Sequence, residues 1–321
     1  MEWDPTIFFR EDVPTIPPFA LVVTNQPLNE KALAVLRNHA RITVCADGGA
    51  NRFFEWAKSR GVEGTDIPNT IIGDLDSIRP DVRAHYESLG VDVILDDDQY
   101  STDLTKSLRY LRDQEKEILS ATEPVQPQAQ PLRPESKPES QAPRSTTATT
   151  TPAPEKADSE TLSILILGGL GGRVDQAFSQ IHHLYLMNQE QERSKSQGTM
   201  YLISEESITF ILAPGKNTIH VPRANRPLPP SSALESQSQS QSSSRETKQE
   251  YLLEENIGII PLSGAESITT KGFEWDVENW RTEIGGQLST SNHIRAERVE
   301  VSTGGPVLFT VELAGGLKRG S

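Results

Sequence analysis

A chain of 321 residues with a formal net charge of −14 can form one large domain or two ordinary ones, and its acidity sets it against nucleic acid and anionic membranes as partners. Its one cysteine, Cys45, excludes an internal disulfide framework and any multi-thiolate metal site, and reads as a buried structural thiol. No apolar run approaches the ~20 residues of a membrane span, and the opening "MEWDPTIFFREDVP" carries acids where a signal peptide has bases, so cytoplasmic location is the default.

In chain order, the apolar runs "FALVVT", "RITVCA", "NTII", "VDVIL", "LSILIL" and "MYLIS" alternate with helix-like stretches. The clearest helices run from Asn51 to Arg60, from Pro80 to Leu89, after Ser101 with Leu104, Leu108 and Leu111 at helical spacing, and from about Val174 to Asn188. This alternation predicts an α/β domain with a mostly parallel sheet over residues 15–204. After Ser204 the runs "SITFILAPG", "KNTIHVP", "NIGIIPLS", "ESITTKGF", "VEVSTGG" and "VLFTVEL" are short, β-branched and punctuated by Gly or Pro. They predict an antiparallel β-sandwich or barrel-like domain over residues 205–317. Two tracts rich in Pro, Ser, Thr and Gln, 121–160 and 223–250, hold almost nothing apolar to bury and read as disordered insertions in surface loops.

Three acidic clusters each follow a strand-like run: Asp47 in "CADGGANR", Asp74 and Asp76 in "GDLDSI", and Asp96 to Asp98 with Asp103 in "DDDQYSTDLTK". Asp, Ser and Pro are also ordinary turn residues, so any one cluster could simply close a strand. In a parallel sheet, however, the C-terminal ends of all strands emerge on one edge, where such folds bind ligands, and the three clusters would converge there. One or two carboxylates are what Mg²⁺ on a phosphate chain asks of a protein. A fourth element, "LILGGLGGRVDQ", sets four glycines between a strand and a helix, with Arg173 and Asp175 following. Such a turn lets backbone amides approach phosphate, although a tight strand-to-helix connection needs glycine equally. The third glycine of a dinucleotide fingerprint and the Gly-Lys-Ser/Thr of a P-loop are both missing. His182 and His183 are adjacent on a helix, point apart and read as structural.

"ADGGANR", "GDLDSI", "DQYSTDLTK", "GGLGGRVDQ" and the later "GFEWDVEN" and "STSN", in this order from about Phe19 to Leu313, resemble the thiamine pyrophosphokinases. The resemblance implies an N-terminal nucleotide domain, a C-terminal β-sandwich, a homodimer with shared active sites, Mg²⁺, and transfer of the diphosphoryl group of ATP to thiamine. By motif it implies Asp74, Asp76 and Asp103 for metal and phosphate, with Asp47 lining the same site and Arg173 on phosphate oxygens. Gly48, Gly49, Asn51, Gln99, Thr102, Lys106, Gly171, Asp175 and Gln176 fall in the same nucleotide-binding motifs. Trp275 would stack on the thiamine pyrimidine with Ser291 and Asn292 bonding it, all three from the partner subunit. Leu75 stands where the family often has Phe, and Tyr100 where it can have Asp, which leaves the number of metal ions open. Asp103 and Asp76 are equal candidates to take the hydroxyl proton. Two other readings exist: "DLDSI" also resembles the motif of haloacid-dehalogenase-type phosphatases, with Asp74 as nucleophile, and the chain could be a non-catalytic sensor of thiamine diphosphate or nucleotide.

Overall fold

The computed structural model describes residues 1–11, 13–121, 161–194, 198–222 and 251–319. Nearly all of both polar tracts, and with them the expectation of disorder there, lies outside these residues. The chain starts with a two-residue strand, Glu2–Trp3 (β1), and a 3₁₀ turn, Ile7–Phe9. There follow Phe19–Val23 (β2), Glu30–His39 (α1), Ile42–Ala46 (β3), Gly49–Ser59 (α2), Thr70–Gly73 (β4), Pro80–Ser88 (α3), Asp92–Leu95 (β5), Asp103–Ser120 (α4), Ser163–Leu167 (β6), Val174–Ser194 (α5) and Met200–Ile203 (β7). The remainder is strand: Ser207–Leu212 (β8), Gly215–His220 (β9), Leu253–Pro261 (β10), Glu266–Lys271 (β11), Trp280–Thr282 (β12), Ser289–His293 (β13), Arg298–Thr303 (β14) and Val307–Leu313 (β15). Helix starts follow local chemistry. Asn29 accepts from the Ala32 amide at 3.0 Å to cap α1, Thr102 accepts from the Thr105 amide at 3.2 Å to cap α4, and Pro80 opens α3.

Among the described residues the strands form two sheets, one ordered β13-β10-β15-β8-β7-β6-β2-β3-β4-β5 and the other β1-β9-β14-β11-β12. The stretch from β5 to β7 is parallel, and β8, β15, β10 and β13 continue the same sheet in antiparallel fashion. The two expected fold types are both present, but joined by backbone hydrogen bonds through β7 and β8. Along β2, Phe19, Leu21 and Val23 join one core while Ala20 and Val22 join the other, so this strand is apolar on both faces. The first core also takes residues of α1, α2 and α3 and, further along, Ile219, Ile268, Val299 and Val301 of the second sheet, packed on Phe210 and Phe309. That is the sandwich half of the molecule. The second core takes α4 and α5. The face changes because the chain steps outward from β2 to β5 and then crosses back to β6 on the other side of β2; with right-handed crossovers, reversing the direction reverses the face.

The N-terminal residues, which sequence reading left outside both domains, belong to the sandwich. β1 pairs parallel with β9, and the Trp3 indole N–H donates to Asn217 Oδ1 at 3.0 Å while its ring packs 4.9 Å from that of Phe210. Trp3→Ala is expected to cost about 3–5 kcal/mol, the usual range for emptying a buried aromatic site. Urea unfolding checks this, and a loss below about 1 kcal/mol would mean that β1 is not part of the core.

Candidate active site

β2 has β3 on one side and β6 on the other, so the strand order switches there, and open α/β sheets bind ligands outside the carboxyl ends of strands at such a switch. A cleft of about 260 Å³ lies at this place, lined by Thr24, Asn25 and Gln26 after β2, Asp74 after β4, Thr102 and Asp103 at the start of α4, and Gln176, Ser179 and Gln180 on α5. The polar run "TNQ" carried the same signal as the acidic clusters, a polar stretch straight after an apolar strand, and sequence reading passed over it.

One carboxylate oxygen from each of Asp47, Asp74 and Asp103 lies within 4.8 Å of the others. Asp47 is fully buried, at φ 39°, and its two oxygens accept from the Ser77 and Ile78 amides, each at 3.0 Å. Those bonds fold the loop after β4 back over β3 and so bring Asp74 beside it. Gly73 permits the approach: a Cβ there would stand 2.6 Å from Asp47 Cβ and 2.9 Å from Asp103 Oδ1. Lys106, one turn into α4 and itself buried, sits 3.4 Å from Asp103. Oxygen-only hard donors at this spacing fit Mg²⁺, whose opposite ligands stand ~4 Å apart.

Crowding these acids into a low-dielectric place raises their affinity for protons. Burial first, then the neighbouring Asp103 and Asp74, push Asp47 up to about 6 against backbone bonds that lower it; burial, with Asp74 adding, also pushes Asp103 up. Both groups hold protons more tightly folded than unfolded, so their contribution favours the metal-free fold at low pH and is lost as pH rises, that of Asp47 through about 6. Asp74→Asn removes one of the repelling charges and keeps the Oδ1 that accepts from the Asp76 amide. It should therefore raise the melting temperature of metal-free protein by about 2–4 °C at pH 7.5 and leave it unchanged at pH 4.5. An equal shift at both pH values would remove like-charge repulsion as its cause.

Other expected site residues divide in two. Thr102 and Gln176 line the cleft, and Lys106 backs Asp103. Asp76 is outside the three-carboxylate group formed with Asp47: its side chain is exposed and accepts from the Ser77 hydroxyl. Gly48 and Gly49 serve close approach, since a Cβ on Gly49 would stand 2.1 Å from Val23 O and one on Gly48 2.3 Å from Asn25 Nδ2. Asn51 ties down the loop after β4, donating to Ser77 O and accepting from the Arg79 amide. Gln99 is exposed, and its amide reaches Asp97 O at 3.4 Å. Arg173 does not line the cleft; its guanidinium forms a two-pronged pair with Asp175 at 3.1 and 2.5 Å, both side chains exposed, as a spacing of two residues allows.

Trp275, 56 % exposed, also lies outside the cleft lining of its own chain. Asn292 holds it: Oδ1 accepts from the Trp275 amide at 3.2 Å and Nδ2 donates to the Trp275 carbonyl at 2.9 Å. This clamp on the tryptophan backbone uses one of the two Nδ2 hydrogens of Asn292. Ser291, at φ 57°, lines a second cavity of about 470 Å³ with Gly171, Leu170, Glu205 and Asn256, between the glycine turn and the sandwich. The helices involved are ordinary surface helices, and among the described residues none is long and apolar enough to cross a membrane.

Comparison with known proteins agrees with this geometry. The family profile "Thiamin pyrophosphokinase, catalytic domain" matches residues 33–195, and "Thiamin pyrophosphokinase, vitamin B1 binding domain" matches residues 245–308. Thiamine pyrophosphokinase 1 of Oryza sativa subsp. japonica is 28 % identical over 92 % of this chain and 87 % of its own length. The thiamine pyrophosphokinase of Saccharomyces cerevisiae is 26 % identical over 85 % and 77 %. The solved thiamin pyrophosphokinase from Candida albicans superposes with a TM-score of 0.66 at 26 % identity, covering 97 % of this chain and 92 % of that one.

Proposed function

The chain belongs to the thiamin pyrophosphokinase family, and on that premise we propose that it moves the diphosphoryl group of ATP onto the hydroxyl of thiamine, giving thiamine diphosphate and AMP. It is an ATP-dependent diphosphotransferase. The observation that carries the chemistry is the convergence of Asp47, Asp74 and Asp103 at the switch point of the sheet. Such transfer needs little covalent help from a protein; it needs phosphates held in line and their charge offset. Asp74 and Asp103 would hold Mg²⁺, with Asp47 behind them fixing the loop; bound there, the ion would supply charge neutralisation for the transferring phosphates. Asp76, exposed on the same loop, remains available to a second cation or to metal-borne water. Thr102, Asp103 and Leu104 at the start of α4 line the same cleft, so the positive dipole end of the helix lies beside it, a favourable setting for anionic oxygens. Most residues lining the cleft are polar, with Ala46 and Leu104 the exceptions, which suits ribose and phosphates better than a thiamine ring.

For the ring, the exposed indole of Trp275 is the platform, reached across a homodimer interface. Val174, Phe178 and Leu186, all exposed on α5, give this chain an apolar strip for such a contact. A reducing, cytoplasmic setting suits the single buried thiol of Cys45. Neither the phosphatase nor the sensor reading gains an observation, because the acidic trio is complete and the family match extends over both halves. Incubation of the purified chain with ATP, MgCl₂ and thiamine, followed by chromatography, should yield thiamine diphosphate and AMP in equal amounts. Formation of ADP, or of neither product, would refute the assignment.

A further inference from the structure

Trp275 sits on a loop fixed on three sides. Asp276 accepts from the Gly272 and Phe273 amides at 2.9 and 3.1 Å and closes the turn, Asn292 clamps the Trp275 peptide from both ends, and Phe273 bridges to Ile294. None of these contacts touches the indole. The ring is met instead by the imidazole of His293, with centroids 5.1 Å apart and planes tilted by 44°. His293 is itself held. Its amide donates to Asn292 Oδ1 at 2.8 Å, its carbonyl accepts from the Glu274 amide at 2.9 Å, and its Nδ1 lies 3.1 Å from Glu274 Oε2 and 3.1 Å from Arg295 Nη2. Arg295 bridges Glu274 to Glu255, whose Oε1 is 4.0 Å from the same Nδ1. Through this chain of charges, which runs from Glu255 on β10 through Arg295 on the loop after β13 to Glu274 on the loop after β11, the sandwich dictates where the imidazole stands.

We infer that His293 is a positioning residue for thiamine, bracing the inner side of the Trp275 indole so that its exposed side is preset to stack on the substrate's pyrimidine ring. The inference rests on the function proposed above. A single indole held only through its backbone can turn about χ1 and χ2, and freezing that freedom on binding lowers affinity; a ring packed against one side removes it beforehand. Aromatic pairs prefer the offset or tilted contact seen here, and imidazole provides it while Glu274 and Arg295 lock its own orientation.

The test uses the full chain and four variants: His293→Ala, His293→Phe, Trp275→Ala and the double Trp275→Ala/His293→Ala. His293→Ala should raise the thiamine KM, and the thiamine Kd measured by calorimetry, about 3- to 10-fold, the span commanded by one aromatic pair. kcat and the ATP KM should stay within about twofold, and His293→Phe, which keeps a flat ring, should recover most of the loss. In the Trp275→Ala background the same change should cost nothing further, since there is no indole left to brace. An unchanged thiamine KM in His293→Ala, an ATP KM that moves in step with it, failure of His293→Phe to recover, or equal losses with and without Trp275 would each overturn the inference. A wild-type chain that makes no thiamine diphosphate is a different result: it removes the proposed function itself, and the role of His293 falls with it.

Discussion

Asp74→Asn and Asp103→Asn each lower kcat by about 100- to 1,000-fold, the loss typical of removing one charged contact to a reacting phosphate or oxyanion, with circular dichroism unchanged. Geometry and electrostatics both lead to this loss. The two carboxylates leave different elements, the end of β4 and the first turn of α4, yet with Asp47 they place three oxygens within 4.8 Å. Replacing either acid by its amide preserves volume and hydrogen-bonding shape but removes a formal charge from the face proposed to hold a cation. Both side chains are partly exposed, so the fold does not depend on them; Asp74→Asn even relieves repulsion in the metal-free state. Raising Mg²⁺ should recover part of the loss. Either variant retaining near-normal kcat at saturating Mg²⁺ would place the metal elsewhere.

Trp275→Ala raises the thiamine KM about tenfold or more, as expected for removing a stacking platform. Its location matters more than the size of the effect. The acidic cleft is lined entirely by residues preceding β7, and Trp275 is exposed on the sandwich. A second copy of the chain would bring its sandwich to that cleft, so each dimer would hold two composite sites. Co-expression of Asp74→Asn chains with Trp275→Ala chains should then make hybrid dimers in which one site carries both lesions and the other neither, restoring about a quarter of wild-type activity on random pairing, with a near-normal thiamine KM. Verified heterodimers without recovered activity would put acids and tryptophan in one subunit's site.

The reach of sequence reasoning differed from residue to residue for physical reasons. Asp47, Asp74 and Asp103 were legible because each follows an apolar run, and strand periodicity with parallel topology gathers such positions on one edge. Helices α2 to α5 were legible from their spacing, to within a residue or two at their N-terminal ends. The continuity of the main sheet from β7 into β8 was not, because alternation reports that a strand has a buried face but not which neighbour it pairs with. β1 escaped for want of length: two residues carry no period. Asp76 and Asn292 show a different limit. A polar residue in a motif is equally able to bond substrate or backbone, and only geometry reveals that Asn292 bonds the Trp275 backbone with both ends of its amide.

The central claim is that both terminal phosphates of ATP leave together for thiamine at the Asp47, Asp74 and Asp103 cluster. Phosphorus NMR of a mixture of ATP, Mg²⁺, thiamine and the chain follows each phosphorus directly. The account predicts that the three ATP signals decay into the AMP singlet and the two coupled resonances of thiamine diphosphate, and that Asp103→Asn leaves ATP intact over the same interval. Appearance of ADP or inorganic phosphate, with thiamine unchanged, would contradict it.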